Sequence, residues 1–325
     1  MIGLGRPRPT GILVGALADV LFADPRRGHP VAGFGRCAQA LETITYRDSR
    51  AAGAVHTGVL LGAMVAVGFA AQRLVTGRLT STLMVAAATW TALGGTTLAR
   101  TGEAMAGLLA ADDLDGARAL LPSLCGRDPE SLDSTGLARA ACESVAENTS
   151  DAHVAPLLWA AIAGVPGVLA YRGVNTLDAM IGHRSPRYAQ FGWAAARLDD
   201  LANFVPARLS AMLTAVCAPL VGGSAVASVA AWRRDAGRHP SPNAGVAEAA
   251  FAGALGIELG GPTQYGYQLE IRPTLGDGPA PQPGDLRRAV RLSRFVQLGA
   301  VALACVVSAA VSAAGHSGRR VSPRR

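Results

Sequence analysis

An all-α, polytopic integral membrane helical bundle with amphipathic and extramembrane helical segments is the fold class this sequence predicts, on three observations. Half of the residues are apolar and only 16% are charged, where a soluble domain carries about a quarter. Cutting the chain at every charged side chain leaves five uncharged runs of at least twenty residues: 51–72, 79–99, 152–171, 209–232 and 295–318. Each is long enough to cross a hydrocarbon core of about 30 Å as a helix. The formal charge of +7 comes from arginine alone, and those arginines border the apolar runs. One such run also fits a buried core helix; five together point to the membrane.

The absence of lysine excludes a Walker-type lysine and a Schiff-base lysine. Five Tyr and seven Phe are scattered without a stacking platform, so the basic balance suits anionic lipid and anionic substrates rather than nucleic acid. Cys37, Cys125, Cys142, Cys217 and Cys305 form no C-x-x-C pair, and the six histidines form no H-x-x-x-H pair. Neither a disulfide framework nor a zinc site is expected.

At the N-terminus, Arg6, Arg8 and the apolar stretch from Gly11 to Ala18 imitate a secretory leader, but the stretch is short for one. Asp19, Asp24-Pro25 and His29-Pro30 follow as a polar set, in which Asp24 suits a cap or turn as well as it suits catalysis. Runs 51–72 and 79–99, separated only by Arg73 to Arg78, are expected to form a tight helical hairpin. Residues 100–151 are polar and acidic and read as an extramembrane helical segment, with a helix over Leu137 to Asp151 that ends before Pro156. The third run carries Gly164-Val165-Pro166-Gly167, which predicts a broken or re-entrant helix. A break at membrane depth needs protein or a water-filled cavity around it, so a site is expected nearby. Polar blocks cover 172–208 and 233–294, the latter with a loop from Pro273 to Gly284. The whole of 1–325 is expected to be a single membrane domain, with the last apolar helix and a basic tail ending Arg324-Arg325 in 296–325.

Five arginines in 24–50 and eight in 233–294 favour a cytoplasmic placement for both blocks. Simple alternation then puts 172–208 outside, unless 152–171 re-enters or the site lies within the membrane.

Three groups of residues carry candidate chemistry. Glu143, Glu147 and Asp151 fall at i, i+4 and i+8, stacked on one helix face, where each like-charge pair costs about 0.2–0.5 kcal/mol. A solvated acidic face is the bland reading of such a ladder. Its position against an apolar run favours a cation, and magnesium, held by a few carboxylates plus substrate phosphate, fits. Arg172, Asn175 and Asp178 follow the broken run, with Asn175 and Asp178 on one face. Arg197, Asp199, Asp200, Asn203 and Arg208 precede the next run, and charged residues packed against membrane segments are functional candidates by default. For Arg208, snorkelling is the bland alternative.

The stretch Glu143-Ser-Val-Ala-Glu147-Asn148 with Asp151, then Tyr171-Arg-Gly-Val-Asn-Thr-Leu-Asp178, then Ala196-Arg-Leu-Asp-Asp-Leu-Ala-Asn203 with Pro206-Ala-Arg208, resembles the signature of the CobD/CbiB family in the same order. Asp19 to Pro30, His239-Pro-Ser-Pro-Asn-Ala-Gly245 with Glu248, and Gly260-Gly261, Tyr265-Gly266 and Arg272-Pro273 extend the resemblance over roughly residues 11–295. It implies a multi-pass protein of the inner or plasma membrane and adenosylcobinamide-phosphate synthase chemistry. That reaction is the ATP-dependent joining of adenosylcobyric acid to (R)-1-aminopropan-2-ol or its O-phosphate.

Under the resemblance, Glu143, Glu147, Asp151 and Asp199 are expected to hold magnesium. Arg172, Arg197 and Arg208, with Asn175, Asn203 and His29, are expected to bind substrate or phosphate. Asp200 or Asp178 is expected to deprotonate the amine, with Glu143 and Glu147 also catalytic. Expected partners are the corrinoid and aminopropanol substrates, the lipid bilayer, and a second copy of the chain or other enzymes of cobalamin synthesis. The alternative reading is a membrane transporter, or a binding or regulatory protein, for an anionic ligand such as a corrinoid.

Overall fold

The computed structural model describes residues 7–25, 28–183, 185–265 and 268–319, with the backbone alone at 263–265, 268–270 and 315–319. Arg6, Gly266 and the Arg324-Arg325 tail lie outside the described residues. The chain is 80% helical, with one two-stranded sheet, so the predicted all-α class holds. In order, the elements are α1 (Pro7–Phe22), α2 (Pro30–Thr45), α3 (Arg50–Leu74), α4 (Arg78–Ala92), α5 (Gly95–Ala110), α6 (Leu114–Leu120), α7 (Ser134–Thr149) and α8 (Ala155–Leu177). Then come α9 (Trp193–Cys217), α10 (Ala225–Asp235), α11 (Ala244–Leu255), β1 (Leu259–Tyr265), β2 (Gln268–Leu275) and α12 (Pro283–Arg319). Among the described residues four helical stretches are long and apolar enough to cross a membrane: Arg50–Leu74, Ser134–Gly182, Trp193–Val221 and Pro283–Ala314.

The chain divides into two compact units, where the sequence suggests one domain. Residues 1–94, 155–202 and 300–325 make the first, and 95–154 and 203–299 the second.

In the first unit α8 is the hub, packed by α1, α2, α3 and α4. The expected hairpin of α3 on α4 does not form as such: α3 lies along α8, and α4 lies along α1. The cause is in α1, where Gly11 and Gly15 turn a glycine stripe toward α4. A Cβ on Gly11 would stand 2.6 Å from that of Val85, and one on Gly15 2.7 Å from the Ala86 carbonyl oxygen. Small residues four apart let two helix backbones approach, as membrane helix pairs commonly do. Run 79–99 is not one helix either. α4 stops at Ala92, ahead of Gly94-Gly95, and its 15 residues fall short of the core thickness.

The predicted break in α8 is present, with Gly164 at φ 65°, ψ −146°, a conformation only glycine adopts without strain. Pro166 has no N–H to offer the carbonyl of Ile162. Arg8 of α1 replaces that donor, its Nη1 lying 3.2 Å from the Ile162 oxygen and 3.4 Å from that of Ala161. The freed backbone is thus satisfied by protein, as a low-dielectric setting demands. Ala38, Leu60, Leu177, Ile181, Phe191 and Ala195 form a core at the C-terminal end of α8. There Arg187 and Tyr188 both donate to the buried Glu42 carboxylate, which fastens residues 185–192 onto α2.

The second unit is built on α11, all twelve residues of which are buried, against α7, α10 and the hairpin of β1 and β2. No signal in the sequence predicts this hairpin. It is antiparallel, pairs Leu259 with Leu275, and carries a bulge between Leu259 and Gly261. The stretch from Pro273 therefore begins inside β2, and the expected loop starts only at Gly276. Asp235 pins that turn by accepting the Gly276 N–H at 3.0 Å, while Arg234 bridges Asp235 and Asp277.

The expected end of a helix before Pro156 is also corrected. Helix runs on from Ser134 to Gly182, through a π-helical turn at Ser150–Val154. The widened turn sits directly ahead of Pro156, where proline withholds a donor and its ring needs room.

Candidate functional site

In the second unit, α7 starts at Asp133, whose side chain caps the Gly136 N–H at 2.7 Å. Small residues (Ala138, Ala140, Ala141, Ala146) bury the helix against its neighbours and carry Glu143 inside with it, 2% exposed. Both Glu143 oxygens are engaged: the Arg127 guanidinium donates to Oε2, and the Gly260 N–H, on the β1 bulge, donates to Oε1 at 2.7 Å. Arg127 is itself buried. A buried pair of this kind costs several kcal/mol to desolvate and holds only while both partners stay.

One turn on, Glu147 is exposed, with Arg127, Arg272 of β2 and Glu143 within electrostatic reach. Facing the same group from α11 is Glu248, 1% exposed, with no hydrogen-bond partner for either oxygen among the described residues. Burial pushes the Glu248 carboxyl well above the usual range; Glu143 and Glu147 add to that, and Arg272 and Arg127 offset it in part. His239 stands 3.9 Å away. Its Nδ1 lies 3.0 Å from the Ser241 nitrogen and 3.2 Å from the Ser241 carbonyl oxygen, and its Nε2 faces Glu248. Three carboxylates and two guanidiniums thus share one largely buried cluster.

The predicted residues fall in both units. In the second, Asp151 lies in the π-helical turn, so the i, i+4, i+8 stacking stops at Glu147. Asn203 is buried. Arg208 donates to Asn243 at 3.1 Å and to the Phe204 carbonyl at 2.8 Å, and lies over the Phe204 ring.

In the first unit, Arg172 donates to Asn175 at 3.2 Å, and Asn175 donates to Asp199 at 3.4 Å. Asp178 is half-buried in the turn after α8, and Arg197 pairs with Asp200 at 3.4 Å on the surface. His29 caps α2: its Nδ1 accepts the Val31 N–H at 3.1 Å and its Nε2 lies 3.5 Å from Asp24.

Among the described residues no three His, Cys, Asp or Glu side chains form a metal-ligating group, and Glu143, Glu147, Asp151 and Asp199 do not gather into one. The physical reason is local. Glu143 is spent on Arg127 and Gly260, Asp151 is rotated off the ladder, and Asp199 is tied to Asn175.

The family profile described as "CobD/Cbib protein" matches residues 12–293. The chain belongs to the CobD/CbiB family. It is 65% identical over 300 residues to the "Cobalamin biosynthesis protein CobD" of Mycobacterium tuberculosis (strain CDC 1551 / Oshkosh), covering 92% of this chain and 96% of that one. The protein of the same name from Rhodobacter capsulatus is 41% identical over 285 residues, 86% of this chain and 89% of its own. That of Geobacter metallireducens is 39% identical over 307 residues, covering 91% and 96%. No solved structure matches.

Within this CobD/CbiB chain, four cluster members carry no role that sequence alone assigns. Glu248 was legible in principle, as the one charged side chain in the apolar helix Ala244–Leu255. His239 and Arg272 flank it in family-like segments without a distinguishing spacing. Arg127, in the irregular stretch before α7, carries no sequence signal, because only the tertiary fold brings it to Glu143.

Proposed function

We propose that this CobD/CbiB chain is a multi-pass cell-membrane enzyme of cobalamin biosynthesis, an ATP-dependent ligase that joins adenosylcobyric acid to aminopropanol or its O-phosphate. The observation that carries the reading is the second-unit cluster of Glu143, Glu147 and Glu248 with Arg127 and Arg272. An exposed Glu147 beside Arg127 and Arg272 can share a divalent cation with a phosphate, and the oxygens of Glu248, without a hydrogen-bond partner among the described residues, are available to a proton. Magnesium, which takes one or two carboxylates plus substrate phosphates, would be held by Glu147 and would neutralise phosphate charge when bound.

In this reaction the corrinoid carboxylate attacks the γ-phosphorus of ATP, an acyl phosphate forms and ADP leaves. The amine then attacks the acyl carbon, the C–N bond forms, phosphate departs and the nitrogen gives up a proton. Arg127 holds Glu143, and Glu143 ties down the hairpin through Gly260, so Arg272 is presented to the charge developing on the transferred group. Glu248, backed by His239, is the favoured proton acceptor. Its raised pKa brings it nearer the working pH, whereas Asp200 is already paired with Arg197. Asp178 is the remaining candidate for that role.

The test is to incubate the detergent-solubilised protein with adenosylcobyric acid, aminopropanol phosphate and Mg-ATP, and to look by mass spectrometry for amide and ADP. Formation of both, dependent on all three substrates, supports the ligase. Corrinoid binding without either product, with free and phosphorylated amine alike, would favour the transport or regulatory alternative.

A further inference from the structure

The two ends of α3 meet different parts of the first unit. At its first turns Gly53 makes room for residues 185–192: a Cβ there would stand 1.7 Å from the Phe191 carbonyl oxygen. Midway, a Cβ on Gly173 of α8 would lie 3.1 Å from Leu61 Cδ2. Toward the other end, a Cβ on Gly68 would stand 2.6 Å from Pro166 Cα, and one on Gly164 2.6 Å from Gln72 Nε2. From its break onward, α8 thus runs back along α3, and the chain reaches Phe191 at the end of α3 opposite the break. A rise of about 1.5 Å per residue puts Gly53 and Gln72 about 28 Å apart, close to the thickness of a hydrocarbon core. The break and residues 185–192 therefore lie at opposite faces of any membrane that α3 spans.

The Phe191 end carries what a membrane surface binds. Tyr46, just past α2, donates to the Arg187 carbonyl at 3.0 Å, and the Arg187 guanidinium lies 4.0 Å from its ring centroid. Arg50 donates to Gln190 at 3.1 Å and stands 5.4 Å over the ring of Trp193, which is exposed. Residues 43–50 and 185–193 hold Arg47, Arg50 and Arg187 against a single acid, Asp48. All three arginines are exposed, and neither Arg47 nor Arg50 pairs with a carboxylate among the described residues. Glu42, next to them, is buried and already taken by Arg187 and Tyr188. Aromatic rings of this kind settle at the headgroup level, where guanidiniums pair with phosphate.

We propose that Tyr46, Arg47, Arg50, Arg187, Tyr188 and Trp193 form one collar at the cytoplasmic membrane surface, which seats the phosphates of anionic phospholipid. Residues 185–193 then face the same compartment as residues 24–50, against the simple alternation that puts 172–208 outside. The collar does not rest on the ligase reading, since no reacting group belongs to it.

The test uses the full-length protein in liposomes, with Trp193 kept as its sole tryptophan and quenched by brominated phosphatidylglycerol or brominated phosphatidylcholine. Phosphatidylglycerol is expected to associate beside Trp193 about tenfold or more tightly, each arginine near an anionic surface contributing about fivefold. Arg47→Gln with Arg50→Gln should bring the two lipids close to parity. Equal quenching without those substitutions, or a ratio that they leave unchanged, would overturn the headgroup seat. Sidedness is read separately in single-cysteine chains, at two exposed positions. Ala189→Cys should react with a membrane-impermeant maleimide only after cells are permeabilised, whereas Thr76→Cys, in the turn after α3, should react in intact cells. Labelling of Ala189→Cys in intact cells would overturn the shared face, and this measurement decides the matter if the double arginine variant does not fold.

Discussion

At the scale of single residues, Glu248 is the side chain whose stability cost and proposed function oppose each other most openly. Its carboxyl is raised above the ordinary value near 4.3 by burial first, then by Glu143 and Glu147. Between the unfolded and folded values the native state keeps a proton that the unfolded chain has released. Stability therefore falls as pH rises through that window, by about 1.4 kcal/mol per pH unit. Glu248→Gln has no such proton. Its thermal midpoint in detergent should lie closest to wild type near about pH 4 and exceed it increasingly as pH rises toward the folded value. A gap that shrinks with rising pH would contradict the assignment. Glu143, by contrast, has both of its oxygens satisfied. Arg127→Met leaves that carboxylate buried and unpaired and should cost about 3–5 kcal/mol in chemical denaturation, and Arg127→Met with Glu143→Leu should recover most of the loss.

At the scale of elements, the first unit depends on α1 more than its 16 residues suggest. Gly11 and Gly15 set the distance to α4, and Arg8 satisfies the carbonyls that Gly164 and Pro166 release in α8. Gly15→Leu should drive α1 off α4 and lower the thermal midpoint, because a core overpacked against backbone costs about 1–3 kcal/mol or more. Gly28→Ala, at a glycine where an added Cβ would meet nothing within 4 Å, tests only its φ of 73° and should cost less. Equal midpoints for the two variants would show that α1 is not held by close backbone approach. Much of this was legible: the break in α8 follows from Gly164-Val165-Pro166-Gly167, and the long spans follow from uncharged runs. The partner of each helix was not, because sequence adjacency favours α3 with α4, while the glycine stripe on α1 takes α4 for itself. The continuation through Pro156 was also hidden, since nothing local announces a π-helical turn.

For the whole molecule, the arginine count predicts that residues 24–50 and 233–294 both face the cytoplasm. Cys37 lies in the first of these blocks and is exposed on α2. In a variant that keeps Cys37 alone, a membrane-impermeant maleimide should label it only after the cells are permeabilised. Labelling in intact cells would reverse the orientation. Of the candidate site, sequence located Glu143, Glu147 and the Arg172 group as chemistry-bearing, and these fall in different compact units: a carboxylate and arginine cluster in one, an arginine-lined cavity in the other. What sequence could not supply was partnership. Arg127, Arg272 and His239 come from a loop, a strand and a turn, and their meeting with α7 and α11 is a product of tertiary packing alone.

The central claim is that the second-unit cluster forms an amide bond at the expense of ATP. The measurement that reaches it most directly is amide turnover, scored by mass spectrometry, in wild type, Glu147→Gln and Glu248→Gln, each first shown to be inserted and folded by its thermal midpoint. Both variants are expected to lose turnover by at least about a hundredfold while remaining folded, Glu147→Gln through lost magnesium-nucleotide binding and Glu248→Gln through lost proton acceptance. Folded variants that turn over at the wild-type rate would remove the cluster from the chemistry.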